Sequence, residues 1–156
     1  MVKEKISRMI TVLSLNSEIT KEKCFSHVAF TFELDKEYRL LKIRYSYSPK
    51  DYDGEDAFLL AQEAFKEAYG EVIAPDEQII KELPLKNHLT LSLTKGATLI
   101  GTAHRHANDM IIEVGERSTV GFNGVKLGKG AYSIILSAHA VLSDKIKFSL
   151  RVDAYE

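Results

Sequence analysis

The sequence of 156 residues contains one cysteine, Cys24, and no tryptophan. A single cysteine excludes an intramolecular disulfide and every metal motif built on paired cysteines. This usage is typical of a reducing compartment, so we expect a cytoplasmic protein. His27 is the nearest imidazole, but residues 24 and 27 lie on opposite faces of a strand. We therefore interpret Cys24 as a small, buried apolar residue and not as a nucleophile.

Long apolar runs and an excess of charge are also missing. No stretch approaches the roughly 20 apolar residues that a membrane-spanning helix needs, and residues 1–18 lack the apolar core and cleavage site of a signal peptide. The 21 basic and 22 acidic residues give a formal net charge of -1. Such a balance does not create the positive field used for nucleic-acid binding. We predict a soluble protein without nucleic-acid or membrane partners.

The dominant pattern is an alternation of apolar and polar residues with a period of two, which is typical of strands with one buried face. Turn residues separate the alternating segments, and no strand–helix–strand repetition is present. We therefore predict an all-β, mainly antiparallel, jelly-roll-like β-sandwich that forms a single domain over residues 1–156. The predicted strands are residues 8–14, 24–34, 40–48, 87–93, 98–103, 110–114, 132–138 and 145–153.

Residues 49–84 interrupt this pattern and predict a helical insertion between two strands. Apolar residues recur at helical spacing over 55–69, and Gly70 is placed to end that helix. Asp53 is the predicted N-cap. A second, short helix is predicted over 75–82, with Pro75 as its first residue.

The candidate site is the cluster His104-Arg105-His106, together with Asp109 in the following loop. Alternate residues of a strand share a face, so both imidazoles could bind one ligand, and Arg105 offers a fork for a carboxylate or phosphate. An alternative is a divalent metal such as zinc on His104, His106 and His88. The simpler interpretation is a pair of exposed histidines at a strand end, because no third ligand is adjacent in sequence.

Tyr45, Tyr47 and Tyr52 suggest an aromatic platform for a sugar, which would make the chain a carbohydrate-binding domain. The alternation of residues 40–48 instead places Tyr45 and Tyr47 on the apolar face, and that favours a role in the core.

Between Phe25 and Leu136 the sequence contains the short motifs HxxFxF, LxIRYSYSP, NHLTLSL, GxxHR, VGE and GKGAYSIIL. This series of motifs resembles the β-sandwich domain that precedes the catalytic domain in CehA/McbA-like metallohydrolases of the PHP superfamily. In that family the metal site lies in the catalytic domain, which opens with an LHxHT-type motif that this sequence lacks. The resemblance therefore implies an accessory sandwich without a hydrolase site.

These observations predict a non-catalytic binding or interaction module, with no resident cofactor, that docks a protein partner, a second copy of itself or a small ligand. The alternatives are a metal-dependent hydrolase or metal-binding protein that uses His104 and His106, and a carbohydrate-binding domain.

Overall fold

A computed structural model describes residues 7–70, 74–104 and 109–156, which form two antiparallel sheets of four strands each and a small helical insertion. Sheet A has the strand order β1-β10-β3-β8, and sheet B has the order β2-β9-β6-β7. The strands are β1 Met9–Thr20, β2 His27–Leu34, β3 Leu40–Ser48, β4 Asp51–Tyr52, β5 Leu85–Lys86, β6 His88–Lys95, β7 Thr98–Ala103, β8 Asp109–Gly115, β9 Gly130–Ala140 and β10 Lys145–Tyr155.

The connectivity is that of a jelly roll. The short strands β4 and β5 pair only with each other. Without them, β6 to β10 become the fourth to eighth strands, and the two sheets have the orders 1-8-3-6 and 2-7-4-5. Two such four-stranded sheets define a jelly-roll sandwich. The predicted fold class is confirmed.

The core lies between the inner faces of the two sheets, where the alternating apolar residues meet. Leu91 and Leu93 of β6 are fully buried, as is Ile134 of β9. Tyr45 and Tyr47 also face inward, with 2% and 3% of their surface exposed. The interpretation of these two tyrosines as core residues is confirmed, so they form no exposed platform.

The insertion contains two helices, α1 at Ala57–Tyr69 and α2 at Asp76–Lys81. The predicted N-cap at Asp53 is wrong, because α1 begins after Asp56. A turn from Gly54 to Ala57 precedes the helix, and the Asp56 carboxylate accepts a hydrogen bond from Tyr52. Gly70 ends α1 at a φ of 78°, as predicted. The helices pack around their own small apolar cluster, formed by Ala61, Ala74 and Ile79 with Phe58, Phe65, Leu83 and Leu85 beside them.

Further boundaries differ from the prediction. Strand β2 begins at His27 and not at residue 24, so Cys24 precedes the strand. Pro75 immediately precedes α2 and has extended backbone angles, so it is not the first helical residue. Strand β1 continues to Thr20, although residues 16–20 are polar enough to resemble a connection. The cause is tertiary, because β1 pairs with β10 along its length, from Met9 opposite Tyr155 to Thr20 opposite Lys145. No helix in the described ranges has the length and apolarity needed to cross a membrane.

Gly101 in β7 lies directly against the backbone of a neighbouring loop. Gly121 accepts a hydrogen bond from the Thr102 amide at 3.1 Å, and Ile100 accepts one from Asn123 at 2.8 Å. A Cβ atom at position 101 would lie 2.4 Å from the Gly121 oxygen and 2.5 Å from the Phe122 Cα. Because these contacts are with backbone atoms, relief requires the loop or the strand to move.

We expect Gly101→Ala to lower the free energy of unfolding by about 2–3 kcal/mol, which is the usual scale of overpacking. Urea denaturation is the measurement. Gly128→Ala is the matched control, because the nearest atom to its Cβ is the mobile Lys95 Nζ at 3.5 Å. Equal destabilisation by both substitutions would contradict the role assigned to the close backbone approach.

Candidate functional site

A row of short polar side chains crosses the outer face of sheet A. Asn16 of β1 pairs with Ser149 of β10, Ser149 with Ser46 of β3, and Ser46 with Asp109 of β8. All four strands contribute one residue each. The inward neighbours of Ser46 are Tyr45 and Tyr47, so alternation directs the row away from the core.

Longer side chains flank this row, so its residues form the floor of a trough. In register on one side are Glu18 and Lys147, and on the other are Arg151 and Arg44. A cavity of about 1120 Å³ occupies the first side and includes Lys50 and Asp51, beyond the end of β3. A second cavity of about 270 Å³ occupies the side with the arginines. Both include Ser46, Ser149 and Asp109, so the two cavities share the same floor.

Lys50 is the unusual group in the wall of this trough. Its Nζ is shielded from solvent and has no hydrogen-bond partner among the described residues. Nζ lies 3.2 Å from the centroid of the Tyr47 ring, whose hydroxyl is held by Asn87 and Leu89. Burial lowers the pKa of Lys50 to about 8, against the opposing attraction of Asp109. A substantial fraction of this amine is therefore neutral in mildly alkaline solution.

A buried carboxylate holds Arg44 and Arg151, the two arginines that form one wall of the trough. Asp153, with none of its surface exposed, accepts hydrogen bonds from Arg44 at 2.7 Å, from Arg151 at 3.0 Å and from Thr11 at 2.7 Å. Burial by itself would raise the pKa of Asp153. Three neighbours outweigh this effect and lower the pKa of Asp153. Thr11 donates a hydrogen bond, Arg151 contributes both a hydrogen bond and its positive charge, and Arg44 contributes its charge. The two guanidinium groups are thereby fixed along one side of the trough.

Near one end of sheet B, two of the predicted site residues come together. His88 forms a hydrogen bond with the backbone of exposed His104, and its ring lies 5.3 Å from that of His139. Burial lowers the pKa of His88, and the charge of His139 lowers it further. His139 Nε2 lies 2.9 Å from Thr90 Oγ1, so Thr90 is buried although it belongs to the outer face.

The structure brings two of the predicted residues together, because His104 and Asp109 both line a cavity of about 350 Å³. Asp109 also lies in the floor of the trough, and His104 also lies beside His88. Arg105 and His106 fall outside the described residues, so the roles proposed for them remain predictions. Within residues 7–70, 74–104 and 109–156, no three histidine, cysteine or acidic side chains are grouped to hold a metal ion.

The sequence alone did not identify Lys50 or the row of Asn16, Ser149, Ser46 and Asp109 as parts of a site. The signal for the row was present in part, because alternation placed Ser46 and Ser149 on outer faces. Which outer residues become neighbours depends on strand register, and register between distant segments is set by the assembled core. In the sequence, Lys50 lies among turn residues just after a predicted strand, where an exposed lysine is expected. Its burial results from its contact with the Tyr47 ring.

No family model matches the sequence, and no curated protein matches it either. Among solved structures, a crystal structure of a protein from Sulfurospirillum deleyianum is similar over 88% of this chain and 96% of that one. The sequence identity is 12% and the TM-score is 0.33. A likeness at this level carries no argument about function.

Proposed function

We propose that this chain is a non-catalytic β-sandwich binding module and that the trough across sheet A is its ligand site. The observation that carries the proposal is the register-matched row of Asn16, Ser149, Ser46 and Asp109 across all four strands. Short polar groups in a concave floor leave room for a ligand and offer hydrogen bonds to it. A binding role is also what the resemblance to an accessory sandwich domain implies.

The shape and chemistry of the trough favour a small polar ligand over a protein partner. Its larger cavity, of about 1120 Å³, is close to the size of small-molecule sites, which are concave and carry a few placed polar groups. The centre of a protein interface is instead depleted of charged residues and rich in aromatic anchors. Here the lining includes Lys50, Lys147 and Asp109, and the row between the walls is polar.

Ser46→Trp tests the location of the site, because the indole would fill the floor at the centre of the row. We expect some compounds in a panel of polyols, carboxylates, amino acids and nucleosides to raise the melting temperature of the wild-type protein but not of Ser46→Trp. Differential scanning fluorimetry is the measurement.

Ser133→Trp is the matched control, since Ser133 lies on the outer face of β9 in the other sheet. It should keep the wild-type response. The proposal would be refuted if no compound class stabilised the wild type, or if Ser46→Trp responded as fully as Ser133→Trp.

A further inference from the structure

The ammonium group of Lys50 requires a partner that the described part of the chain does not supply. Nζ is buried and makes no hydrogen bond there, and its contact is with the face of the Tyr47 ring. A buried charge without hydrogen bonds is costly, and a ring face compensates only part of that cost. The four-carbon stem of lysine is flexible, so the ammonium can turn from the ring towards the cavity that the side chain lines.

The charges around Lys50 limit which kind of chemical group can be its partner. Two acidic side chains in the cavity wall already have cations, since Glu18 lies 3.4 Å from Lys145 and Asp51 lies 3.3 Å from Lys86. Asp109 attracts Lys50 electrostatically, but the Lys50 ammonium makes no hydrogen bond to it. Lys50 and Lys147 therefore leave the trough able to accept a negatively charged group.

The hydrogen-bonding side chains in the floor of the trough favour hydroxyl groups on the ligand. A carboxylate accepts hydrogen bonds and cannot donate them, so Asp109 needs a donor from the ligand. Ser46 and Ser149 have hydroxyls that both donate and accept, and the Asn16 amide does the same. Hydroxyl groups on the ligand match the hydrogen-bonding chemistry of these residues, whereas a second carboxylate would be repelled by Asp109.

We propose that the trough binds a small hydroxylated carboxylate, such as a sugar acid, with Lys50 paired to the carboxylate and Asp109 accepting a hydrogen bond from a ligand hydroxyl. This inference rests on the proposed function and adds the ligand class.

The inference has a distinct pH signature. A bound carboxylate favours the charged form of Lys50, so binding raises the pKa of that amine above its value of about 8 in the free protein. At pH 7 the amine is already mostly charged. At pH 9 it is mostly neutral, so binding must take up close to one proton, and the affinity falls about tenfold from pH 7 to pH 9.

The experiment is isothermal titration calorimetry with D-glucuronate, D-galacturonate and D-gluconate, each compared with its neutral counterpart, D-glucose, D-galactose or D-sorbitol. Titrations at pH 7 and pH 9, in buffers with different ionisation enthalpies, measure affinity and proton uptake. We expect at least one acid to bind at least tenfold more tightly than its neutral counterpart, with proton uptake at pH 9.

Three variants separate the charge of Lys50 from a structural effect. Lys50→Met should weaken acid binding at pH 7 and abolish proton uptake. Lys50→Arg, whose guanidinium stays charged, should bind the acid without the tenfold pH dependence. Lys126→Met, at an exposed position, should behave as the wild type.

The possible results distinguish this inference from the function on which it rests. If neutral polyols bind as tightly as the acids, or if Lys50→Met keeps the proton uptake, the ligand class is wrong and the binding function stands. If none of the acids binds, the ligand class is also wrong, and the broader panel with Ser46→Trp decides the function.

Discussion

Asp153→Asn is expected to lower the free energy of unfolding by about 2–3 kcal/mol, because it removes the charge that holds two arginines together. Asp153 is fully buried and accepts hydrogen bonds from Arg44, Arg151 and Thr11. Asparagine has a similar volume, so packing changes little. Its amide nitrogen would face a guanidinium group, and the arginines, which are neighbours across β3 and β10, would repel each other. Urea denaturation at pH 7 measures the loss.

The pH dependence of stability identifies the charge as the cause. The pKa of Asp153 in the folded protein lies below its usual 3.8, so the unfolded chain binds more protons in that range. This contribution to stability is therefore complete above pH 3.8 and is lost as the pH falls through the lower, folded pKa. Asp153→Asn should have a flatter stability profile in this window than the wild type.

Asp51→Asn provides the control, because it makes the same chemical change in an exposed pair with Lys86. Exposed pairs contribute about 0–1 kcal/mol. A loss in Asp153→Asn no larger than in Asp51→Asn would show that the arginines do not depend on the buried carboxylate.

Leu91→Ala is expected to have the largest effect on stability, about 3–4 kcal/mol, which corresponds to a melting temperature lower by about 10 °C. Leu91 has none of its surface exposed and lies in β6, between β9 and β7. Its removal leaves a cavity among side chains that the sheets hold in register, so the surrounding structure cannot close it fully. Differential scanning calorimetry measures the change.

Leu99→Ala is the matched control in the adjacent strand β7, where 55% of Leu99 is exposed. We expect its effect to stay within about 0.5 kcal/mol. Comparable losses in the two variants would mean that β6 does not form the centre of the core.

The sandwich was predictable because alternation reports a local property, the side of a strand on which each residue lies. In β3 this assigned Tyr45 and Tyr47 to the core, although their hydroxyls suggested a surface role. The prediction failed where distant contacts override local sequence. Residues 16–20 extend β1 because β10 supplies their partners.

The site was predictable only in part for the same reason. His104 and Asp109 were candidate site residues because imidazole and carboxylate groups commonly bind ligands. Lys50 and Ser46 are common surface residues, and what distinguishes them is their neighbours. Asn16 and Ser149 are far apart in sequence, yet a hydrogen-bonded strand pair places them side by side. Such neighbours cannot be read from one sequence, because they depend on which strands pair and in which register.

The position of β10 also has a consequence for biosynthesis. This strand lies between β1 and β3 in sheet A, but it follows both of them in the sequence. During translation, β1 and β3 therefore leave the ribosome long before the strand that joins them. The row of polar residues across sheet A cannot assemble until residues 145–155 emerge. Sheet B contains β6 and β7, which are consecutive and pair locally. We expect ribosome-bound nascent chains that lack residues 145–155 to remain sensitive to protease in sheet A, because these long-range contacts form last.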